Sequence, residues 1–200
     1  SIPATVSFLL LLDGFNQPLN FIPPTVKFLF LHKISYQLTP GSIPYHLTQI
    51  GFSNGFSQRF TKGIIPDSIA NVAIGDVVYA LDSDSISNPN HQLLLLDGFN
   101  HPLDFIPSTV QSLFLQNIKY QLKKGSIPKH LNILGFTNGF DQELTKDIIP
   151  DTVTSILIGD VVHSLKPDSI SNSEQIIYYY GNYKHKKINF YRSQSNNSNL

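Results

Sequence analysis

The sequence contains no cysteine. Disulfide frameworks, thiolate metal sites and cysteine nucleophiles are therefore excluded, and a reducing, cytoplasmic setting is favoured. Charge is scarce: Asp, Glu, Lys and Arg make up 14% of the chain, and the formal net charge is zero. A nucleic-acid binder carries a basic excess along one face. None is legible here, so no specific nucleic-acid partner is expected. No apolar run approaches the roughly 20 residues of a membrane span; the longest, residues 8–12, is strand-sized. No signal peptide is legible either. The first residue, Ser1, already lies inside a Ser-Ile-Pro pattern that recurs along the chain. The chain thus reads as a fragment, a processed product or a shortened form, and the missing leader says little about location.

What the sequence does contain is repetition, which sets the architecture before any local reading. Residues 9–26, LLLLDGFNQPLNFIPPTV, return at residues 93–110 as LLLLDGFNHPLDFIPSTV, with three substitutions and an offset of 84. Ile-Pro pairs at Ile2, Ile22, Ile43, Ile65, Ile106, Ile127 and Ile149 continue through Ile86-Ser87 and Ile170-Ser171, where proline is lost. The spacings run 20, 21, 22 and 21, then repeat. Residues 9–88 and 93–172 share 51 identities in 80 ungapped positions, so a four-unit block has been duplicated. The Asn88-Pro89-Asn90 turn is no composition break. Residues 1–180 read as one continuous array.

Each unit carries an apolar-x-x-apolar-x-apolar pattern four residues after its isoleucine, as in Val26/Leu29/Leu31, Leu47/Ile50/Phe52 and Ile69/Val72/Ile74. In the fifth unit Asn90 stands at the first position, before Leu93/Leu95. Alternation at the last two positions is the period of a strand with one buried face. The remainder of each unit is Gly, Asn, Asp, Ser and Pro with apolar anchors such as Leu19, Leu38, Phe60 and Leu81, too short for an amphipathic helix. Proline after the isoleucine removes a donor and fixes its own dihedral. The return path should be extended or turn-like. One such unit cannot bury its apolar side alone, but stacked units can. The expected fold is mostly β: a parallel β-solenoid of about nine coils of 20–22 residues, with little helix. At ~4.8 Å per strand it would span roughly 40 Å.

The pattern V-x-x-L-x-L-x-x-x-F-N-Q-P-L-x-x-x-I-P over residues 6–23, with Phe15-Asn16-Gln17-Pro18 and Ile22-Pro23, resembles the FNIP repeat, a short relative of the leucine-rich repeats. It returns at Phe99-Asn100-His101-Pro102 and Ile106-Pro107. Other units depart from it, with Tyr36-Gln37, Phe56-Ser57-Gln58 and Phe140-Asp141-Gln142, and Val77-Val78 and Val161-Val162 lose the core altogether. The resemblance implies a protein-binding scaffold, sometimes joined to an F-box, and no catalytic residue. No F-box is present in these residues.

Three polar groupings require a structural and a functional reading. Gln17, Gln37, Gln58, Gln121 and Gln142 take equivalent places, with His101, Ala80 and Ser164 as substitutes. They are a binding stripe or, the favoured reading, amides that satisfy turn backbone groups otherwise buried unpaired. Asp13-Gly14, Asp97-Gly98, Gly75-Asp76 and Gly159-Asp160 follow strands and read as turn formers; the acids of one block lie about three units apart. Histidines 32, 46, 91, 101, 130, 163 and 185 share no metal-ligand spacing, and His46 and His130, equivalents in the two blocks, read as surface or turn residues. No G-x-S-x-G or P-loop motif occurs. No cofactor and no metal are expected.

The strand positions that alternate with the core should face the open surface: Phe8, Leu10 and Leu12; Phe28 and Phe30; Leu94, Leu96 and Phe114; Tyr178 and Tyr180. A contiguous apolar area of more than a few hundred Å² marks an interaction site. The reading is a non-catalytic scaffold that binds a protein partner through its strand-lined face. The alternatives are self-association through the same face, and recognition for a larger protein whose effector domain lies elsewhere. Intramolecular cover of that face would remove the site. The tail, residues 181–200, carries Lys184, His185, Lys186, Lys187 and Arg192 and ends Asn/Ser-rich, which reads as a solvated, partly disordered end.

Overall fold

The computed structural model describes residues 2–79, 81–82, 84–163, 165–166, 169–170 and 175–179. Tyr180, Ala80, Ser164 and the 181–200 tail lie outside them. Nine four-residue strands follow one another: β1 (Phe8–Leu11), β2 (Phe28–Leu31), β3 (Gln49–Phe52), β4 (Asn71–Ile74), β5 (Gln92–Leu95), β6 (Ser112–Leu115), β7 (Ile133–Phe136), β8 (Ser155–Ile158) and β9 (Ile176–Tyr179). They form a single sheet in chain order, every pair parallel and in register. Single-turn 3-10 helices at Leu19–Phe21 and Leu103–Phe105 are the helices of the described residues. Elsewhere the return path is made of turns, bends and irregular chain, with isolated parallel bridges such as Phe56 to Val77 and Phe60 to Leu81. The chain is a parallel β-solenoid, as its period requires.

Register puts like residues over like. Leu29, Ile50, Val72, Leu93, Leu113, Leu134 and Ile156 form one fully buried column, and Leu31, Phe52, Ile74, Leu95, Leu115, Phe136 and Ile158 a second. The anchors Leu19, Leu38, Phe60, Leu81, Leu103, Leu122 and Leu144 close the core from the return side. Phe52, Phe56 and Phe60 meet at ring-centroid distances of 4.6–5.3 Å. Truncating a buried ring such as Phe52 costs about 3–5 kcal/mol. Each Ile-Pro opens a turn in which the proline carbonyl accepts a bond from the amide three residues on: Val26 to Pro23 at 3.0 Å, Ile69 to Pro66 at 3.1 Å, Val110 to Pro107 at 2.9 Å. That amide belongs to the first buried residue of the next strand approach, so the turn delivers the core side chain.

The fifth coil corrects the sequence reading. Asn90 is exposed, and His91, with 0% exposure, fills the slot held elsewhere by Val26, Leu47, Ile69, Val110, Leu131 and Val153. The turn has moved by one residue: the His91 amide donates to the Asn88 carbonyl at 3.1 Å. Loss of proline permits this. Ser87 Oγ donates to Asp67 Oδ1 at 2.6 Å, and Asn88 Nδ2 donates to the Asp67 carbonyl at 2.8 Å. One block later Gln175 occupies the same slot, 3% exposed, donating Nε2 to the Pro150 carbonyl at 3.0 Å. A polar residue thus enters the core column at both coils that carry Ile-Ser.

The two differ in degree: Gln175 makes its Nε2 bond, although its enclosed Oε1 has no hydrogen-bond partner among the described residues. Neither ring nitrogen of His91 has a hydrogen-bond partner of good geometry. Burial pushes its pKa below the ordinary imidazole value, with the Asp67 carboxylate and backbone opposing. The native state therefore holds His91 neutral, while the unfolded chain protonates it below about pH 6.5. A depressed histidine contributes stability that is complete above that value and is lost as pH falls from it through the lowered folded-state value. Urea unfolding at pH 7.5 and pH 5 should show a stability loss on the acid side that His91→Gln, borrowing the residue of the duplicate coil, reduces. Parallel pH profiles for the two proteins would remove His91 from this account.

Candidate interaction face

The side chains that alternate with the core stand on the other face of the sheet. Register arranges them in columns. The middle column runs Leu10, Phe30, Gly51, Ala73, Leu94, Phe114, Gly135, Leu157, Tyr178. Beside it runs Phe8, Phe28, Gln49, Asn71, Gln92, Ser112, Ile133, Ser155, Ile176. The strands contact only their neighbours in the sheet, so no further strand or 3-10 turn covers this face among the described residues. The middle column is apolar from end to end, whereas its neighbour is polar through the central coils.

Exposure along the columns is uneven. Phe8, Leu10, Leu12, Phe28 and Tyr178 are exposed, at 54, 39, 58, 39 and 44%. Phe30, Leu94, Leu96 and Phe114 are half-buried. For Phe30 and Phe114 the cause is the glycine pairing. A Cβ at Gly51 would lie 2.2 Å from the Phe30 ring, and one at Gly135 would lie 2.3 Å from the Phe114 ring. Each phenylalanine lies over the bare backbone of the next coil, and Phe8 meets Phe30 at 5.6 Å between centroids. The aromatic residues are thus partly covered by their own array. Ile133, Leu157 and Ile176 belong to the same columns and were missing from the sequence expectation, although the same alternation reaches them.

Among the glutamines, Gln37 donates to the carbonyl of its neighbour Leu38 and Gln121 donates to Gln142 Oε1 at 3.1 Å, while two others bind backbone of the preceding coil. Gln58 Nε2 donates to the Tyr36 carbonyl at 2.7 Å, while its Oε1 accepts from the Leu38 amide at 2.8 Å. Gln142 repeats both bonds with Tyr120 and Leu122, at 2.9 and 2.8 Å. These amides hook each coil to the preceding one. His101 lies 2.9 Å from the Val77 carbonyl through Nε2, with the same reach. Gln17 is exposed. Gly14 and Gly98, at φ +79° and +85°, are left-handed turn positions. Asp76 lies in the coil stacked on Asp97-Gly98, 3.2 Å from where a Gly98 Cβ would stand, an adjacency across the block boundary that spacing within one block hides. No group of three or more His, Asp or Glu side chains among the described residues could hold a metal ion.

His46 and His130 are turn residues, one of the two readings the sequence allowed, but they are not free surface groups. Both are half-buried, and each Nε2 is enclosed without a hydrogen-bond partner. Burial, reinforced by Lys27, lowers the pKa of His46. On the return side a depression of about 390 Å³ is lined by Lys124, Lys129, Asp147 and neighbouring residues. Lys124 pairs there with Asp147 at 3.0 Å, and the charges largely compensate one another. No helix among the described residues is long and apolar enough to cross a membrane.

A parallel sheet of four-residue strands, leucine columns inside and short turn-rich returns define a solenoid of leucine-rich-repeat type. Residues 36–76, 99–139 and 121–161 match the FNIP repeat, together just over half of the sequence. The chain belongs to the FNIP repeat family. Among solved structures it is similar to the crystal structure of CroV588, described as a novel circular LRR protein, at 16% identity and a TM-score of 0.51. That likeness covers 89% of this chain and 31% of the other, and is a likeness of fold. No curated protein matches the sequence.

The glycine pairing makes the face testable. Gly51 has an ordinary backbone conformation, so only the Phe30 ring opposes a side chain there. Gly51→Ala should cost about 1–3 kcal/mol in urea unfolding. Adding Phe30→Ala should cost much less in the Gly51→Ala background than in the wild type, because the ring is already displaced. Additive losses would show that the ring does not rest on the glycine.

Proposed function

We propose that the chain is a non-catalytic scaffold that holds a protein partner across the open face of its sheet. The observation that carries this reading is the apolar middle column, which no other element of the described residues covers: Leu10 and Tyr178 are exposed, Phe30, Leu94, Phe114 and Leu157 are half-buried, and Gly51, Ala73 and Gly135 are buried between them. Stacked repeats present such faces as extended binding surfaces, and exposed apolar patches mark interaction sites. Polar Gln49, Asn71, Gln92 and Ser112 border the column through its central coils. An apolar core with a polar rim is the composition of a protein interface. The absence of cysteine favours a cytoplasmic setting for this binding.

The test compares wild-type protein with the double variant Leu94→Ser, Leu157→Ser and with the return-side variant Lys129→Ala, using proteins captured from cell extract and identified by mass spectrometry. Both substituted leucines are half-buried on the open face, so the fold should persist by circular dichroism. The double variant should lose the captured proteins by about tenfold or more, and Lys129→Ala should keep them. Equal capture by all three would place binding away from this face.

A further inference from the structure

Duplication by 84 residues carries each coil of the first block four coils along, so every column of the sheet should repeat. The core columns do so in kind, as with Leu29 and Leu113 or Phe52 and Phe136. The polar-centred column on the open face does not. Phe28 has Ser112 as its counterpart, and Gln49 has Ile133. From β2 to β7 this column runs Phe28, Gln49, Asn71, Gln92, Ser112, Ile133. It is apolar, polar four times and apolar again, the same from either end. Its centre lies between β4 and β5, inside the array.

The other two outward columns share that centre. The middle column is apolar throughout, so reversal leaves it matched. The third column consists of the residues just after the strands, whose amides bond the preceding coil in one register and whose Ser53, Gly75 and Leu96 lie side by side. Reversed about the same centre, His32 meets Thr137, Ser53 meets Gln116 and Gly75 meets Leu96. In the first column Phe28 meets Ile133, Gln49 meets Ser112 and Asn71 meets Gln92. Across β2 to β7, no pair sets a polar side chain against an apolar one. Other centres fail: one on β4 sets Phe28 against Ser112, and one on β5 sets Gln49 against Ile133.

We propose that the partner of the open face is a second copy of this chain, laid face to face about a two-fold axis that runs along the strands between β4 and β5. This pairing rests on the open face being the binding face, and names what fills it. In an isologous contact residue i meets residue j of the other copy and j meets i, which is what a column matched to its own reverse supplies. The strands of the two copies run the same way, and their coil order is reversed. Sheets packed face to face lie about 10 Å apart, with side chains of both filling the gap. The apolar strips cover one another there. Beside them Asn71 meets Gln92 on either side of the axis, and each amide brings both donors and an acceptor. Among the described residues no side-chain hydrogen bond engages Gln49, Asn71, Gln92 or Ser112.

Sedimentation equilibrium of the purified chain should give twice the 22.4 kDa of one chain and no more at higher concentration, since a two-fold contact closes on itself. Asn71→Lys with Gln92→Lys sets like charges about the axis and should raise the concentration needed for pairing by about tenfold or more. Asn71→Glu with Gln92→Glu should do the same. Mixed together, the two double variants should pair again, a rescue that damage to the fold would not give.

Because the chain has no cysteine, register can be read with a bifunctional thiol reagent that spans the gap of about 10 Å between sheets. A mixture of Phe28→Cys and Ile133→Cys proteins should cross-link. Neither alone should, because like positions stand five strand spacings apart, ~24 Å.

A single-chain mass at every concentration would overturn the proposal. If the Leu94→Ser, Leu157→Ser variant still lost its captured proteins in that case, the open face would remain the binding face and its occupant would be a different protein. A dimer that both charged variants keep, or cross-links confined to like variants, would also overturn it. A dimer rescued by mixing opposite charges, with the mixed cross-link, would support it.

Discussion

Everything in this molecule rests on in-register parallel stacking of four-residue strands. Such a strand, with one apolar face and no partner, has too few hydrogen bonds and too little burial to offset the entropy of ordering it. Stacked, each coil lends its neighbours a floor and a roof. Leu, Ile, Val and Phe stack in buried columns, and the polar backbone between them is paired along the array. The remaining features serve that register. Ile-Pro turns present the next core residue at a set height, and the amides of Gln58 and Gln142 tie one coil to the one before.

The same stacking makes the open face part of the structure that carries it. Phe30 and Phe114 are available to a partner only partly, because each lies over a glycine of the next coil. Their rings fill the space that a side chain at Gly51 or Gly135 would need. A substitution made to weaken binding at these two positions would also disturb the coil beneath, whereas Leu94 and Leu157 stand over no such gap. The apolar surface is thus divided between residues that hold the sheet together and residues that remain available.

Duplication of the four-coil block gives the structure its internal comparisons. His91 and Gln175 take one slot in successive blocks, both polar, both in coils where proline has been lost from the turn. Gln175 donates to a carbonyl, while His91 is held neutral in a column of aliphatic side chains. Gly63 and Asp147 are likewise equivalents in a left-handed position. The glycine reaches that conformation freely; the aspartate adopts it while its carboxylate pairs with Lys124, a lysine that stands where the first block has Pro40.

Much of this was legible in the sequence. Period, strand order, the duplication and the outward set Phe8, Leu10, Leu12, Phe28, Phe30, Leu94, Leu96, Phe114 and Tyr178 follow from spacing and alternation, because a stacked repeat converts sequence distance directly into height and facing. What spacing could not determine was contact between coils. Asn90 has the first apolar slot by count, yet His91 fills it, since Ser87 and Asn88 bind Asp67 and move the turn by one residue. His46 and His130 read as surface or turn residues; both are in turns, yet each encloses a ring nitrogen, which spacing alone does not show. Burial of Phe30 depends on a glycine in the following coil. The sequence by itself determined the period and therefore the solenoid; the tertiary structure decided which outward residues stay exposed, because exposure depends on the side chains of the coils above and below.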